Sequence, residues 1–247
     1  MRDSIEDYQI VIIENLKFHW HDPDIRQLYG DLMQIKIDGY GKTYGDNVIS
    51  ADKADFFGTH LMVCKKGIRL KPVLGYKSVT TKQCLDFHLK FPGLKLVESD
   101  ASKVCVKAFE KILANAAKGG REISFDYSWA QDPNIRNIRT PEVVQFFRDI
   151  TMGLGVLHHQ EFQIDEMMTC GVIKVKTDLF FEKMGLRKVS FDSKFKQKDL
   201  NGDEVHIFHT DQFSDYAYQV AEKYRKLWDG KIVIGSQVNR GIIKKVA

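Results

Sequence analysis

Hydrophobic positions along the chain repeat with two periods, one typical of strands and one typical of helices. Residues 122–129 alternate apolar and polar positions with period two, which indicates a half-buried strand. Apolar, β-branched and aromatic runs predict the other strands. The predicted strands cover residues 8–13, 57–64, 72–80, 122–129, 165–173, 186–191 and 204–209.

Helical spacing of apolar residues fills most of the gaps between these strands. Asp22 followed by Pro23 predicts a helix start, and the apolar positions continue through Ile35 before the helix frays at residues 39–41. Further helices are predicted after Thr80 or Thr81 as far as residue 87, from Asp100 or Ser102 to Gly119, from Thr140 onwards, over 176–184, and over 213–228.

This order of elements predicts an α/β (α+β) fold, with a mixed, mostly antiparallel central sheet flanked by helices, because both hairpin and crossover connections occur. No Pro/Gly/Ser-rich linker divides the chain. We therefore expect one domain over residues 1–210 and a helical extension over 211–247 packed on that domain.

Composition and charge narrow the classes of function. The 247 residues carry 37 basic and 33 acidic side chains, a formal net charge of +4, which is too balanced for a dedicated nucleic-acid binder. No apolar run is long enough to predict a membrane span, and no secretory signal is evident. The four cysteines are widely spaced. We expect reduced thiols and a cytoplasmic location.

Several motifs, taken in order, resemble the GNAT acyltransferase superfamily. The stretch 176–187, with Phe180-Phe181-Glu182-Lys183-Met184-Gly185-Leu186, is similar to a phrase that many members carry between a helix and a strand. The first half resembles the branch of acyl-homoserine-lactone synthases and N-acyl amino acid synthases. That likeness rests on the acidic pair in 52–55, on the strand 73–77 and on the strand start 122–125.

The chain also departs from the superfamily pattern. The glycine-rich pyrophosphate loop is replaced by residues 132–140, and the synthase arginine after Ser124 is Phe125. The tyrosine that protonates the leaving thiolate would fall at Phe180 or Phe181, neither of which can donate a proton. The resemblance therefore implies a larger acyl donor at least as readily as acetyl-CoA.

The strand at 122–129 carries the candidate catalytic residues. Glu122, Ser124 and Asp126 point to one face by period-two spacing, and Phe125 and Tyr127 to the other. A carboxylate in an apolar cleft can act as a general base, so we assign catalysis to the first three, with Glu122 as the leading base. Phe125 and Tyr127 are assigned to the acyl donor. The alternative is that Glu122 and Asp126 are rim or ion-pair residues.

Two further groups are candidates for binding. The resemblance implies that Asp52 and Asp55 bind a substrate ammonium, and Lys77 would pair with an acceptor carboxylate or with one of these aspartates. The alternative is a solvated loop.

Arg136, Arg139 and Thr140 stand at a predicted helix start, where free N–H groups and positive charge favour a phosphate of the acyl donor. The alternative is a surface loop in which the arginines pair with Asp132 and Glu142.

Metal ligation is disfavoured by the sequence. His158 and His159 are adjacent on a predicted helix and diverge by about 100°, and His206 and His209 lie on opposite faces of a strand. We therefore expect no metal and no tightly bound cofactor, with acyl-CoA or acyl-phosphopantetheine as co-substrate.

The sequence favours an N-acyltransferase that moves an acyl group from acyl-CoA or acyl carrier protein to a small amine or amino acid. Its partners would be the amine and, as one option for the donor, the carrier protein. The alternatives are an acetyl-CoA-dependent GNAT acetyltransferase and a GNAT-like module that binds without catalysis.

Overall fold

The computed structural model describes residues 5–138 and 140–235. The strands are β1 (Tyr8–Glu14), β2 (Thr59–Lys65), β3 (Lys71–Thr80), β4 (Ile123–Gln131), β5 (Glu166–Val172), β6 (Arg187–Lys188), β7 (Lys194–Gln197), β8 (Asp203–Thr210) and β9 (Ile232–Ile234). The helices are α1 (Pro23–Tyr44), α2 (Thr81–Asp86), α3 (Pro92–Asp100), α4 (Lys103–Lys118), α5 (Pro133–Arg136), α6 (Pro141–Phe162), α7 (Thr177–Met184), α8 (Asp215–Lys223) and α9 (Arg225–Asp229).

The chain divides into two compact units. Unit 1 consists of Met1–Ser78, Ser128–Arg148 and Tyr224–Ala247, and unit 2 consists of Val79–Tyr127 and Asp149–Lys223. The predicted division at residue 210 is a different partition of the chain and stays a prediction.

Unit 1 is built on β2, which pairs antiparallel with β1 on one side and β3 on the other. β9 joins the far edge of β1 in parallel. Helix α1 covers one face of these strands, and its buried Leu28, Leu32 and Ile35 share a core with Val11 and Met62. This periodic apolar stripe is the reason why the segment folds as a helix against the strands.

Unit 2 is built on β5, which pairs in parallel with β4 and antiparallel with β8. The short strands β6 and β7 both pair antiparallel with β8. The ring of Phe91 contacts that of Phe109 of α4 and that of Phe125 of β4, at centroid distances of 6.2 and 6.1 Å. Gly93 of α3 lets these rings approach, because a Cβ there would stand 2.6 Å from both Phe109 and Phe125.

Helix α1 begins as its sequence predicts. The Asp22 carboxylate accepts hydrogen bonds from the backbone N–H groups of Asp24 and Ile25, and Pro23 takes the first helical position. The end differs from the prediction: the helix continues past residues 39–41 to Tyr44, where Gly45 follows with a φ of 116°. Interior glycines weaken a helix without stopping it, whereas a positive φ does stop it.

The predicted fold class is confirmed: the structure is mixed α/β, with mostly antiparallel strand pairing and flanking helices. The caps at Thr80 and Ser102 are also confirmed. The prediction missed α3, α5, β7 and β9, and the predicted strand over 186–191 is only the two residues of β6. The predicted final helix is two helices, α8 and α9. Short elements carry too few buried positions to show a period: only Phe195 of β7 is buried.

None of the helices in the described part of the chain combines the length and the apolar composition that crossing a bilayer requires.

Candidate active site

Asp52, Asp55 and Lys77 come together in unit 1. A 3-10 turn over Lys53–Phe56 is closed at its start by a capping box, in which Asp52 accepts from Ala54 N at 2.8 Å and Asp55 accepts from Asp52 N at 2.6 Å. Lys77 Nζ lies 2.8 Å from Asp52 Oδ1 and 2.9 Å from Asp55 Oδ2. Of the two partners predicted for Lys77, the structure therefore has the loop aspartates.

Burial separates the roles of these three side chains. The side chains of Lys77 and Asp55 are 1% and 2% exposed, whereas that of Asp52 is 38% exposed. Only Asp52 among them presents a carboxylate that a solute can reach. The two buried partners fix its position, because the Lys77 ammonium binds both carboxylates at once.

Two further buried residues complete the network, and sequence reasoning missed both. Lys36 of α1 places its fully buried Nζ 3.6 Å from Asp55 Oδ1, an ion pair too long for a hydrogen bond. His60 of β2 lies with Nε2 2.7 Å from the backbone oxygen of Asp55. The apolar spacing of α1 predicted a helix but gave no signal that a lysine on it would face inwards.

The electrostatics of this network favour an ionised Asp55. Burial acts to raise the pKa of Asp55, but the charges of Lys36 and Lys77 outweigh it and hold that pKa below its usual value. Burial lowers the pKa of Lys36 to about 8, against the attraction of Asp55. Burial also lowers the pKa of His60 to about 3, so its imidazole stays neutral.

In unit 2, the predicted alternation of β4 is present. Ser124 and Asp126 share a face and are fully buried. Ser124 Oγ lies 2.8 Å from His159 Nε2 of α6, and Thr169 of β5 donates its hydroxyl to the Asp126 backbone oxygen at 2.6 Å. Neither side chain is open to solvent, so either could act in catalysis only through another group that reaches the substrate. The catalytic role of Ser124 and Asp126 stays a prediction.

Glu122 lies at the start of the same face but makes a different contact. Its Oε1 accepts a hydrogen bond from the backbone N–H of Lys82, in the first turn of α2, at 2.7 Å. A carboxylate there complements the positive end of the helix. The side chain is partly exposed. The structure thus gives Glu122 a helix-capping contact, and its role as a base stays a prediction.

The opposite face of β4 is aromatic, as predicted. Phe125 is buried against Phe91, with ring centroids 6.1 Å apart, and lies 5.3 Å from the ring of the half-buried Tyr127. Phe125 therefore forms part of the core of unit 2. The contact of Phe125 and Tyr127 with an acyl donor stays a prediction.

β4 contains a strained position just after the predicted catalytic residues. Ser128 has a φ of 62°, a conformation that a residue with a Cβ adopts at a cost of about 1–3 kcal/mol. Its hydroxyl lies 2.6 Å from that of Ser50. The pairing of β4 with β5 covers Ile123 to Asp126 and therefore ends before Ser128. Backbone strain of this kind is typical of functional sites.

The predicted phosphate-binding residues precede α6. Thr140 is exposed, and its backbone oxygen accepts from Val144 N at 3.1 Å in the first turn of α6. Arg139 and the side chain of Arg136 lie outside the described residues. The binding of an acyl-donor phosphate by Arg136, Arg139 and Thr140 stays a prediction.

His158 and His159 of α6 come closer together than their predicted divergence suggests. Each offers a ring nitrogen that lies within 4.8 Å of the other and of an Asp126 carboxylate oxygen. The rings stand nearly perpendicular, at 86°, with centroids 5.6 Å apart. The Cα–Cβ bonds of the two histidines diverge, but rotation about the side-chain bonds still brings their ring nitrogens close together.

Comparison with known proteins identifies the fold. No family model matches the chain, and no curated protein matches it. Among solved structures, FeeM, an N-acyl amino acid synthase from uncultured soil microbes, matches with a TM-score of 0.51 at 12% identity, over 89% of this chain and 94% of its own. BjaI, a CoA-dependent acyl-homoserine lactone synthase solved with SAM and isopentyl-CoA, matches with a TM-score of 0.53 at 11% identity, over 97% of this chain and 98% of its own. The chain therefore has the GNAT-like fold of these two synthases, as its motifs predicted.

Proposed function

We propose that this chain is an N-acyltransferase that moves an acyl group from a thioester, carried by CoA or by acyl carrier protein, to a small amine. The observation that carries the proposal is the likeness in fold to a CoA-dependent acyl-homoserine lactone synthase over 97% of the chain. The order of motifs in residues 52–55, 73–77, 122–125 and 176–187 supports the same reading independently.

In this reaction the amine attacks the thioester carbonyl, a C–N bond forms, the C–S bond breaks and the thiol leaves. The acceptor enters as an ammonium and must first lose a proton. Asp52 is the residue that we assign to the ammonium, because its carboxylate is partly exposed while Lys77 holds it at 2.8 Å. Asp55, Lys77 and Lys36 are positioning residues, since burial keeps them from the substrate.

We assign the general base to Glu122. Its partial exposure at the start of β4 supports the assignment, and its contact with α2 fixes the position of the carboxylate. Donor binding is assigned to Phe125, Tyr127, Arg136, Arg139 and Thr140. The arginines bring positive charge to the segment before α6, as the phosphates of CoA or phosphopantetheine require.

Thiol release tests the proposal. Purified protein is incubated with acyl-CoA and acyl-carrier-protein donors of increasing chain length and with mixed amines, and free thiol is followed. We expect turnover with at least one donor, and at least about a tenfold loss in kcat/KM for Asp52→Asn. Asp86→Asn is the matched control, because its carboxylate pairs with Lys82 on the surface.

The base is tested separately. Glu122→Gln keeps an oxygen that can accept from Lys82 N and removes the basic carboxylate. We expect a loss in kcat of about 100-fold or more. An unchanged rate would assign Glu122 to capping α2 alone. No turnover with any donor would contradict the enzyme itself and favour a module that binds without catalysis.

A further inference from the structure

We propose that Asp126, His158 and His159 form a binding site for one divalent transition-metal ion of the zinc type. Each offers one ligand atom, and these three atoms lie within 4.8 Å of one another. The three residues are 0%, 1% and 4% exposed. All three residues belong to unit 2.

The chemistry of the three ligand atoms determines which class of ion would bind. Two imidazole nitrogens and one carboxylate oxygen suit zinc and its first-row neighbours rather than calcium or magnesium, which prefer oxygen ligands. Asp126 comes from β4 and the histidines from α6, so the ligands are held by two regular elements. Bonds of about 2.0–2.2 Å place tetrahedral ligand atoms about 3.3–3.6 Å apart, so a pair that now lies near the 4.8 Å limit must draw closer by about 1 Å as the ion binds.

His158 supplies a second, independent observation. Its side chain is buried, and its Nδ1 has no hydrogen-bond partner among the described residues. Burying a polar atom without a hydrogen-bond partner costs free energy, and a cation bound to this nitrogen would offset that cost.

His159 is already oriented as a metal ligand usually is. Its Nδ1 lies 2.7 Å from the backbone oxygen of Gly155, and because a carbonyl only accepts, this nitrogen carries the proton. Metal-binding histidines typically donate their second N–H to such an oxygen. The lone pair of Nε2 then faces Ser124 Oγ at 2.8 Å. An ion at Nε2 would replace the hydrogen bond from the Ser124 hydroxyl.

One phenyl ring lies against each of the two imidazoles. The ring of Phe162 lies 4.8 Å from that of His158, and the ring of Phe213 lies 5.4 Å from that of His159. Apolar groups beside a metal site limit the access of water and strengthen the attraction between the ion and its ligands. We expect the bound ion to join β4 to α6 and to stabilise the fold.

Cobalt titration tests the site. Untagged protein is treated with a chelator and titrated with Co²⁺, whose visible absorption reports the ligand set, and then with Zn²⁺ as competitor. We expect one Co²⁺ per chain, displacement by one Zn²⁺, and a rise in Tm when Zn²⁺ is added. His158→Gln should weaken binding at least about tenfold. His21→Gln, which changes an exposed histidine, should leave it unchanged.

Ser124→Ala separates this site from a merely structural cluster. The substitution removes the hydroxyl that competes for His159 Nε2, so Co²⁺ affinity should be equal to or higher than that of the unaltered protein. X-ray absorption of the zinc-loaded, unaltered protein needs no variant and should show two imidazole ligands. Absence of saturable Co²⁺ binding, a zinc shell without imidazole, or unchanged affinity in a folded His158→Gln variant would each overturn the proposal.

Discussion

Asp55 is the residue on which the buried ionic network of unit 1 depends, because each of its oxygens faces a lysine. Asp55→Asn would leave Lys36 and Lys77 buried with one carboxylate fewer, and we expect it to lower the free energy of unfolding by about 3–5 kcal/mol. Urea denaturation measures the change. Asp86→Asn removes an exposed pair and should cost less than about 1 kcal/mol. Equal losses in the two variants would show that the buried network adds nothing.

His60 gives this network a pH dependence. Its pKa lies near 3 in the folded chain and near 6.5 without burial, so between these values the unfolded state binds more protons. The free energy of unfolding should therefore fall as the pH drops from 6.5 towards 3, by at most about 1.4 kcal/mol per pH unit from this residue. His60→Gln should make that fall shallower, as urea denaturation at several pH values would measure. An unchanged slope would contradict the buried, neutral imidazole.

At the scale of elements, the packing of α1 on β3 depends on Gly75. A Cβ there would stand 2.7 Å from Leu32 Cδ1 of α1 and 3.0 Å from the Leu61 backbone oxygen. We expect Gly75→Ala to destabilise the protein by about 1–3 kcal/mol. Gly30, on the exposed side of the same helix, has no atom within 4 Å of such a Cβ. Gly30→Ala should instead stabilise by about 0.5–1 kcal/mol.

Thermal unfolding of both variants measures the difference. Their shifts in Tm should have opposite signs, because one methyl group meets a packed interface and the other meets solvent. Shifts of the same sign would contradict the packing of α1 described here.

The sequence predicted the elements whose pattern is local, and missed those that depend on packing. The long α1, α4 and α6 and the alternating β4 were evident from their periods, whereas the short β7 and β9 were not. The same holds for the polar clusters of each unit. Asp52 and Asp55 are three residues apart, so their proximity was predictable. Lys36 and His159 reach their partners through the packing of helices on strands, which no local pattern encodes.

At the scale of the whole molecule, part of the segment after residue 210 packs in unit 1. Trp228 is fully buried, and β9 pairs with β1. We propose that this segment extends the domain over 1–210 and is required for its stability. Trp228→Ala should cost about 3–5 kcal/mol by urea denaturation, and Trp228→Phe, which keeps an aromatic ring, should cost less. A chain ending at residue 210 should not fold cooperatively, and a folded truncated chain would contradict this role.

For the whole molecule, we propose that Asp52 of the GNAT-like fold receives an amine that attacks an acyl thioester. The most direct test is thiol release from a panel of acyl-CoA and acyl-carrier-protein donors, with and without amine. We predict thiol release that requires the amine, yields the N-acyl product by mass spectrometry, and falls in the Asp52→Asn variant while Asp86→Asn retains it. No amine-dependent thiol release with any donor, from protein shown to be folded, would contradict the account.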